Sequence, residues 1–274
     1  MKKILSLLVS LGLGALSMTG CANTGISYQY EDAARYTRGG ASLAQTIEEI
    51  EIDWISGAVT VDYHDEATVI FSETSADELT EDTSLYYRVH GKTLEIRYMR
   101  SGATTESTLK KELTVFIPRG TGLRALSLNS VSAELTVGAL SLTHFEAESV
   151  SGTIDASLDE VSEISVQTVS GNAEVSFARA DTLKAESVSG NILAKAYTEA
   201  PRRVDAETVS GSVTLRIPEK TGFTLEYETV SGNLYCDFPF EKKGKLYLVG
   251  GGARAYDAET VSGNLNILYL SEEE

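Results

Sequence analysis

The tripeptide Val-Ser-Gly recurs along the chain, and this repeat restricts the fold more than any other feature of the sequence. The tripeptide or a close variant of it begins at Ile55, Val131, Val150, Val169, Val188, Val209, Val230 and Val261. The spacing is even from Val131 to Val188, slightly wider up to Val230, and widest between Val230 and Val261. A period of about 20 residues is typical of architectures in which each repeat is one structural unit that packs against its neighbours.

Each repeat has apolar residues at alternating positions on both sides of the tripeptide. Phe145 and Ala147 stand five and three positions before Val150, and Ile154 and Ala156 continue the alternation after the glycine. Strict alternation over two short runs is typical of half-buried strands. Each repeat therefore predicts a strand, a Ser-Gly corner, a second strand and a short return.

These units predict an all-β fold, a single-chain parallel β-solenoid whose rungs stack at about 4.8 Å. The inward residues are often Ala or Val, which favours a narrow, dry interior without a ligand cavity. Cys236 falls on an inward position and is interpreted as a core residue. The corner glycine is expected to adopt a positive φ. Asparagines that follow the glycine are expected to form an amide ladder between rungs; they are Asn172, Asn191, Asn233 and Asn264.

The solenoid domain is predicted to span 45–274. Residues 62–120 lack the tripeptide but remain rich in strand patterns, so they are interpreted as a strand and hairpin insertion near the N-terminal end, with a turn at Gly91-Lys92. Residues 21–44 are expected to be a linker without a confident element. The tail Ser271-Glu272-Glu273-Glu274 is interpreted as a charged guard for the last strand edge.

The first twenty residues predict a bacterial lipoprotein signal peptide. Lys2 and Lys3 precede an apolar run, and Met18-Thr19-Gly20-Cys21 resembles a lipobox, in which the cysteine is acylated and becomes the new N-terminus. The apolar run is short for a membrane-spanning helix, which needs about 20 residues. Cys21 is therefore the predicted lipidation site, and the protein is expected to be extracytoplasmic and lipid-anchored to a bacterial membrane.

The formal net charge of the chain is -17, from 23 basic and 40 acidic residues. Nucleic acid is therefore excluded as a partner, because phosphate binding requires basic surface. A general attraction to anionic lipid headgroups is also disfavoured, so membrane attachment is expected to be covalent. Cationic peptides and basic wall components are the partners that the charge favours.

Three segments together resemble the bacterial putative-adhesin β-repeat family, a domain of unknown function. They are the run Trp54-Ile55-Ser56-Gly57-Ala58-Val59-Thr60-Val61, the segment Leu113-Thr114-Val115-Phe116-Ile117-Pro118-Arg119-Gly120, and the repeated Glu-Thr-Val-Ser-Gly-Asn. The resemblance covers roughly residues 45–270. It implies a β-solenoid at the cell envelope, and it supplies no catalytic residues.

The most regular polar feature is a column of residues two positions before each tripeptide, interpreted as an exposed acidic face. It consists of Asp53, Asn129, Glu148, Gln167, Glu186, Glu207, Glu228 and Glu259. Stacking is expected to bring neighbouring carboxylates to about 5 Å, where like charges repel by about 1 kcal/mol in water. A solvated face tolerates this repulsion without a ligand. The functional alternative is a weak contact site for a cation or cationic peptide at Glu148, Glu186, Glu207, Glu228 and Glu259.

Other motifs for chemistry are weak. His64, His90 and His144 have no metal-ligand spacing, so no metal site and no cofactor are expected. No catalytic residues are predicted. The serines belong to the repeat corner. A polysaccharide lyase would need basic residues over a groove, whereas the basic residues here, among them Arg97 and Lys111, lie in the insertion. Tyr235 is expected to be an exposed aromatic residue beside the acidic column.

The sequence therefore predicts a non-enzymatic envelope protein for adhesion, binding or sensing. A second hypothesis is a structural scaffold that self-associates end to end through its terminal strands. A minor third is a β-helix enzyme that acts on wall polysaccharide.

Overall fold

The computed structural model of the protein describes residues 26–105 and 109–270, and these residues form strands with one short 3-10 helix, Ala33–Arg35. The strands are β1 (Ile26–Ser27), β2 (Thr37–Arg38), β3 (Ala41–Leu43), β4 (Glu49–Trp54), β5 (Gly57–His64), β6 (Val69–Ser75), β7 (Tyr86–His90), β8 (Thr93–Arg97), β9 (Thr104–Thr105), β10 (Lys111–Pro118), β11 (Ala125–Ser130), β12 (Glu134–Ser149), β13 (Ile154–Thr168), β14 (Ala173–Ser187), β15 (Ile192–Glu199), β16 (Arg203–Thr208), β17 (Ser212–Ile217), β18 (Phe223–Thr229), β19 (Leu234–Cys236), β20 (Phe240–Lys243), β21 (Leu246–Val249), β22 (Ala255–Thr260) and β23 (Asn264–Tyr269).

The strands stack as two parallel faces that are joined at the tripeptide corners, which confirms the predicted solenoid. Face one contains, in spatial order, β8, β4, β11, 144–149, 163–168, 182–187, β16, β22 and β18. Face two contains β10, β5, 134–137, 154–158, 173–177, β15, β17, β23 and β19. The described residues thus form nine rungs, and eight rung spacings of about 4.8 Å give a rod about 38 Å long.

The inward positions of both faces build one continuous core. Ile154, Ile192 and Leu265 are 2%, 1% and 4% exposed, and all three belong to the same hydrophobic cluster. Leu234 and Cys236 are only partly buried. They lie on β19, which pairs on one side alone in the described part of the chain, so no described rung covers them.

The order of the rungs in space differs from their order in the chain. Strand β22 pairs with β16 on one side and with β18 on the other, and β23 lies between β17 and β19 in the same way. The last repeat of the sequence is therefore the penultimate rung. The wide interval between Val230 and Val261 contains a hairpin, β20 and β21, that carries the chain over the end of face one and back. Residues 271–274, predicted to guard an edge, lie outside the described residues, and β23 is not an edge strand.

The corner glycines allow the backbones of neighbouring rungs to approach closely, and most of them do not adopt a special backbone conformation. The expected positive φ was therefore wrong for most of them. Among the glycines of the tripeptide only Gly57 has a positive φ, of 100°. At the others a Cβ atom would lie 1.8 to 2.0 Å from a carbonyl oxygen of the neighbouring rung, as Gly190 would from Gly171. No side chain fits at that distance, because the rungs are held together by their backbone hydrogen bonds.

Side-chain hydrogen bonds reinforce each corner. The residue before the tripeptide donates to the carbonyl of the glycine three positions later, as Ser149 does to Gly152 at 3.0 Å. The serine of the tripeptide donates to the carbonyl of the preceding rung, as Ser170 does to Val150 at 3.1 Å. The expected amide ladder forms in two pairs, in which Asn191 donates to Asn172 and Asn233 donates to Asn264, both at 3.2 Å.

Antiparallel strands close both ends of face one and one end of face two. Strands β7 and β8 form a hairpin at Gly91, which has a positive φ of 64° as the predicted turn requires, and β2 pairs with β7. Strands β6 and β3 extend face two beyond β10. Residues 26–43, predicted as linker without a confident element, instead supply β1 to β3, and Tyr28 and Tyr36 are buried there. Their aromatic rings explain the difference, because burial outweighs weak local strand signals.

Candidate functional site

The residues two positions before each tripeptide form one continuous column on the outer side of face one, here called the carboxylate column. The strand registers place its members in the order Asp53, Asn129, Glu148, Gln167, Glu186, Glu207, Glu259 and Glu228. Adjacent members are therefore one rung apart. The register that the repeat predicted is confirmed. Glu259 comes before Glu228 in space because β22 lies between β16 and β18.

The column is largely buried, so its interpretation as an exposed acidic face was wrong. Asp53 is 3% exposed, Gln167 and Glu186 are 6% exposed, and Glu207 is 5% exposed. Glu148, Glu228 and Glu259 are half-buried. Each inner member of the column has another member directly above it and below it at the rung spacing. Because side chains alternate along a strand, the side chain two positions earlier also lies on the same side. These neighbours exclude water from side chains that point away from the core.

A basic residue lies at each end of the column. At the β8 end Arg97 continues the register beyond Asp53, and its Nη1 atom lies 2.8 Å from Asp53 Oδ2. Asn129 Nδ2 donates to the other oxygen of Asp53 at 2.9 Å. At the opposite end Lys245 forms an ion pair with Glu228. The end carboxylates are thus neutralised locally, because a buried charge is tolerated only when it is paired and hydrogen-bonded.

The middle of the column is less completely satisfied. Lys184 Nζ lies 2.9 Å from Glu186 Oε1, but Glu186 Oε2 and Gln167 Oε1 have no hydrogen-bond partner among the described residues. Burial, together with the carboxylates of Glu146 and Glu186, raises the pKa of Glu148 to about 7. The two amides, Asn129 and Gln167, flank Glu148 and separate it from the next carboxylates. The third position of the column therefore favours the protonated carboxyl group more than an exposed glutamate does.

No group of three or more His, Cys, Asp or Glu side chains within 26–105 and 109–270 is placed to hold a metal ion. His144 contacts Glu163 at 2.9 Å, and His64 contacts the carbonyl of Thr68 at 2.7 Å. The weak cation site predicted at the column is thus not a preformed cage, whereas calcium requires six to eight oxygen ligands.

The basic residues considered for catalysis are structural. Arg97 also contacts Glu95 at 3.1 Å, and Arg88 contacts the same carboxylate at 2.6 Å. Lys111 is fully buried: its Nζ atom lies 2.7 Å from Glu73 Oε2 and 4.8 Å from the centre of the Trp54 ring. Burial lowers the pKa of Lys111 to about 8, against the opposing attraction of Glu73. Arg97 and Lys111 are thus buried at the capped end of the rod, where each is held by an ion pair.

The other end of the rod has a feature that sequence reasoning missed. Strands β20 and β21 form a hairpin over residues 240–249, with lysines at 242, 243 and 245, and all four residues of β20 are exposed. Large apolar side chains are exposed at this end: Val230 65%, Tyr235 56%, Phe240 44% and Leu246 43%. Tyr235 is exposed as expected, but it lies on β19 of face two and not beside the column. The sequence signal for the hairpin was the run Phe240-Glu241-Lys242-Lys243-Gly244-Lys245. Its local positive charge does not show in the net charge of the chain, which is strongly negative.

The fold and these sites define an all-β solenoid repeat domain with a buried polar column and two unlike ends. The chain belongs to the Toastrack DUF4097 family, whose model matches residues 47–268. No match is found among curated proteins. Within the described part of the chain, no helix is long and apolar enough to span a membrane.

Three solved structures are similar in fold. A putative lipid binding protein from Parabacteroides distasonis is 15% identical, with a TM-score of 0.48 over 85% of this chain and 97% of that one. A putative adhesin from Bacteroides fragilis is 13% identical, with a TM-score of 0.47 over 86% and 97%. A putative cell adhesion protein from Clostridium sporogenes is 16% identical, with a TM-score of 0.37 over 86% and 99%.

Proposed function

We propose that the protein is a non-enzymatic, lipid-anchored binding module of the bacterial envelope, in which the solenoid is a rigid spacer that presents its β20–β21 end to a ligand. The observation that supports this function is the polarity of the rod. Residues 26–43 pack on the end formed by β6, β7, β8 and β10, whereas the hairpin caps the opposite end of the stack.

An anchor at Cys21 would orient the rod relative to the membrane. Cys21 lies only five positions before Ile26, and five extended residues span at most about 18 Å. A lipid on Cys21 would hold the β6–β8 end near the membrane. The hairpin would then stand about 38 Å further out, because eight rung spacings separate the two ends. A solenoid is suited to this task, since every rung is fixed by hydrogen bonds to its neighbours.

Lipidation is tested by Cys21→Ala in cells. The substitution is expected to move the protein from the membrane fraction to the soluble fraction and to remove the acyl mass from the N-terminal peptide. Cys236→Ala is the matched control, because that thiol is partly buried in the last rung. An unchanged membrane fraction for Cys21→Ala would reject the lipid anchor.

Orientation is tested with the lipidated protein in zwitterionic vesicles that contain a fluorescence acceptor. In a Cys236→Ser background, a dye on His90→Cys, at the β7–β8 turn, is expected to transfer energy to the bilayer efficiently. A dye on Lys243→Cys, at the distal hairpin, should transfer little. Equal transfer from both positions would contradict the upright spacer.

A second function, end-to-end scaffolding, is favoured by one observation. Strand β19 (Leu234–Cys236) is short and, within 26–105 and 109–270, pairs with β23 alone, so its other edge is available to a strand of a second copy. Sedimentation velocity at increasing protein concentration separates the two functions. A spacer stays monomeric, whereas a scaffold forms larger species that Leu234→Pro would abolish, because the backbone N–H of Leu234 points to the open edge and those of its neighbours bond to β23.

A further inference from the structure

The hairpin at the distal end has a surface unlike the rest of the rod. We propose that the segment 240–247, here called the distal hairpin, binds the anionic surface of a phospholipid bilayer. The proposal rests on the proposed function only for the position of the hairpin at the free end of the rod.

The charge of the distal hairpin is opposite to that of the chain. It has three lysines and one glutamate, whereas the whole chain has a net charge of -17. The side chains of Lys243 and Lys245 are 72% and 66% exposed. Lys242 lies over the Tyr247 ring at 4.7 Å from its centre, which keeps the ammonium group at the surface.

Apolar side chains are interleaved with these lysines on both sides of the hairpin. The register pairs Lys242 with Tyr247 and Lys243 with Leu246, so each side of the two-stranded ribbon carries a lysine beside an apolar residue. Phe240 packs edge-on against Tyr247 with ring centres 5.2 Å apart. Strand β20 contributes no buried side chain, so its exposed aromatic ring is not explained by the core.

This combination favours a bilayer over the other anionic or acidic partners. A membrane interface accepts apolar side chains among the headgroups while lysines contact the phosphates. A soluble polyanion would be bound by charge alone and would leave Phe240 and Leu246 in water. A second copy would offer exposed carboxylates to the lysines, but such a polar surface would leave Phe240 and Leu246 in water.

The acidic rod does not cancel the attraction. The screening length at physiological ionic strength is about 8 Å, less than two rung spacings. The nearest carboxylates act mainly on Lys245, which is paired with Glu228 on the adjacent strand β18 and also lies within the field of Glu226 and Glu259. Lys242 and Lys243 are therefore the lysines that supply the attraction. The net charge of -17 thus disfavours anionic lipid along the rod as a whole but not at its tip.

The test uses residues 21–274 with Cys21→Ser, so that no acyl chain contributes. All described strands lie within 26–270, so this chain contains the complete core. Binding is measured by flotation with phosphatidylglycerol vesicles and with phosphatidylcholine vesicles, at low and at moderate salt. We expect binding at least about tenfold stronger to the anionic vesicles and weaker at the higher salt, since each lysine near an anionic surface contributes about a fivefold effect.

Two double variants separate the contributions. Lys242→Gln with Lys243→Gln is expected to lower the partition coefficient more than about tenfold, and Phe240→Ser with Leu246→Ser is expected to lower it severalfold. The matched control is Lys92→Gln with Lys110→Gln, which removes two exposed lysines at the opposite end and should change nothing. Circular dichroism melts verify that each variant is folded.

Equal binding to both kinds of vesicle, or equal loss in the control variant, would overturn the proposal. So would binding to soluble polyphosphate that competes fully with vesicles and is unaffected by the Phe240 and Leu246 substitutions, because that result assigns the hairpin to a polyanion. The chain in this test has no lipid, so a negative result leaves the anchor and orientation tests of the proposed function intact.

Discussion

Replacing Glu148 by glutamine is expected to stabilise the protein above neutral pH. Glu148 is the half-buried third member of the carboxylate column, and its pKa of about 7 lies well above the ordinary value of 4.5. Its neighbours one rung away, Asn129 and Gln167, are amides, so an amide at this position fits the pattern of the column. Glutamine also keeps the size and shape of the side chain while removing the charge.

The magnitude follows from the linkage between proton binding and folding. The folded state binds the Glu148 proton more tightly than the unfolded state, so its stabilising effect is complete below about pH 4.5 and is lost as the pH rises through about 7. The difference between these two pKa values corresponds to at most about 3 to 4 kcal/mol, at about 1.4 kcal/mol for each pH unit. Because the side chain is only half-buried, solvent screening reduces this value, and we expect about 1 to 2 kcal/mol.

The assay is urea unfolding at a series of pH values from 5 to 8.5, compared between the wild type and Glu148→Gln. The wild type should lose free energy of unfolding across this range relative to the variant, and the difference between the two should be smallest at pH 5. The matched control is Glu160→Gln, an exposed carboxylate on the return between rungs. If Glu148→Gln is destabilised equally at all pH values, the column does not disfavour the ionised carboxylate and the reasoning is refuted.

Three further substitutions test the structure elsewhere. Gly190→Ala is expected to lower the free energy of unfolding by about 3 kcal/mol or more, because its Cβ would lie 1.8 Å from a carbonyl oxygen. The control Gly251→Ala has open space around it and should change the urea midpoint little, so equal midpoints for the two variants would contradict the close approach. Arg97→Met should cost about 3 to 5 kcal/mol in thermal unfolding, because it leaves Asp53 buried without its cation, and adding Asp53→Asn should recover part of the loss; no recovery would show that the ion pair is unimportant. Lys111→Met should cost a similar amount through the unpaired Glu73 carboxylate, and a variant as stable as the wild type would indicate that the buried lysine is replaceable by packing alone.

The repeat was sufficient to predict the solenoid, its strand alternation and the register of its columns. These properties depend on local periodicity: a side chain such as Ile192 points inward because of its place relative to the tripeptide, whatever lies elsewhere in the chain. The corner glycines were located for the same reason. Their role was misjudged, however, because the approach of a carbonyl oxygen from the next rung to Gly190 exists only after stacking.

Burial of the carboxylate column, the order of the rungs and the character of the two ends were decided by the tertiary structure. Glu186 points away from the core, as the alternation predicts, yet it is buried because neighbouring rungs cover it, and covering is a property of the stack. The wide interval before Val261 is compatible with a rung added at the end or inserted before it, and only the pairing of β22 on both sides distinguishes them. The distal hairpin was hidden in a net charge summed over the chain, whereas a ligand experiences only the charges within a screening length of it.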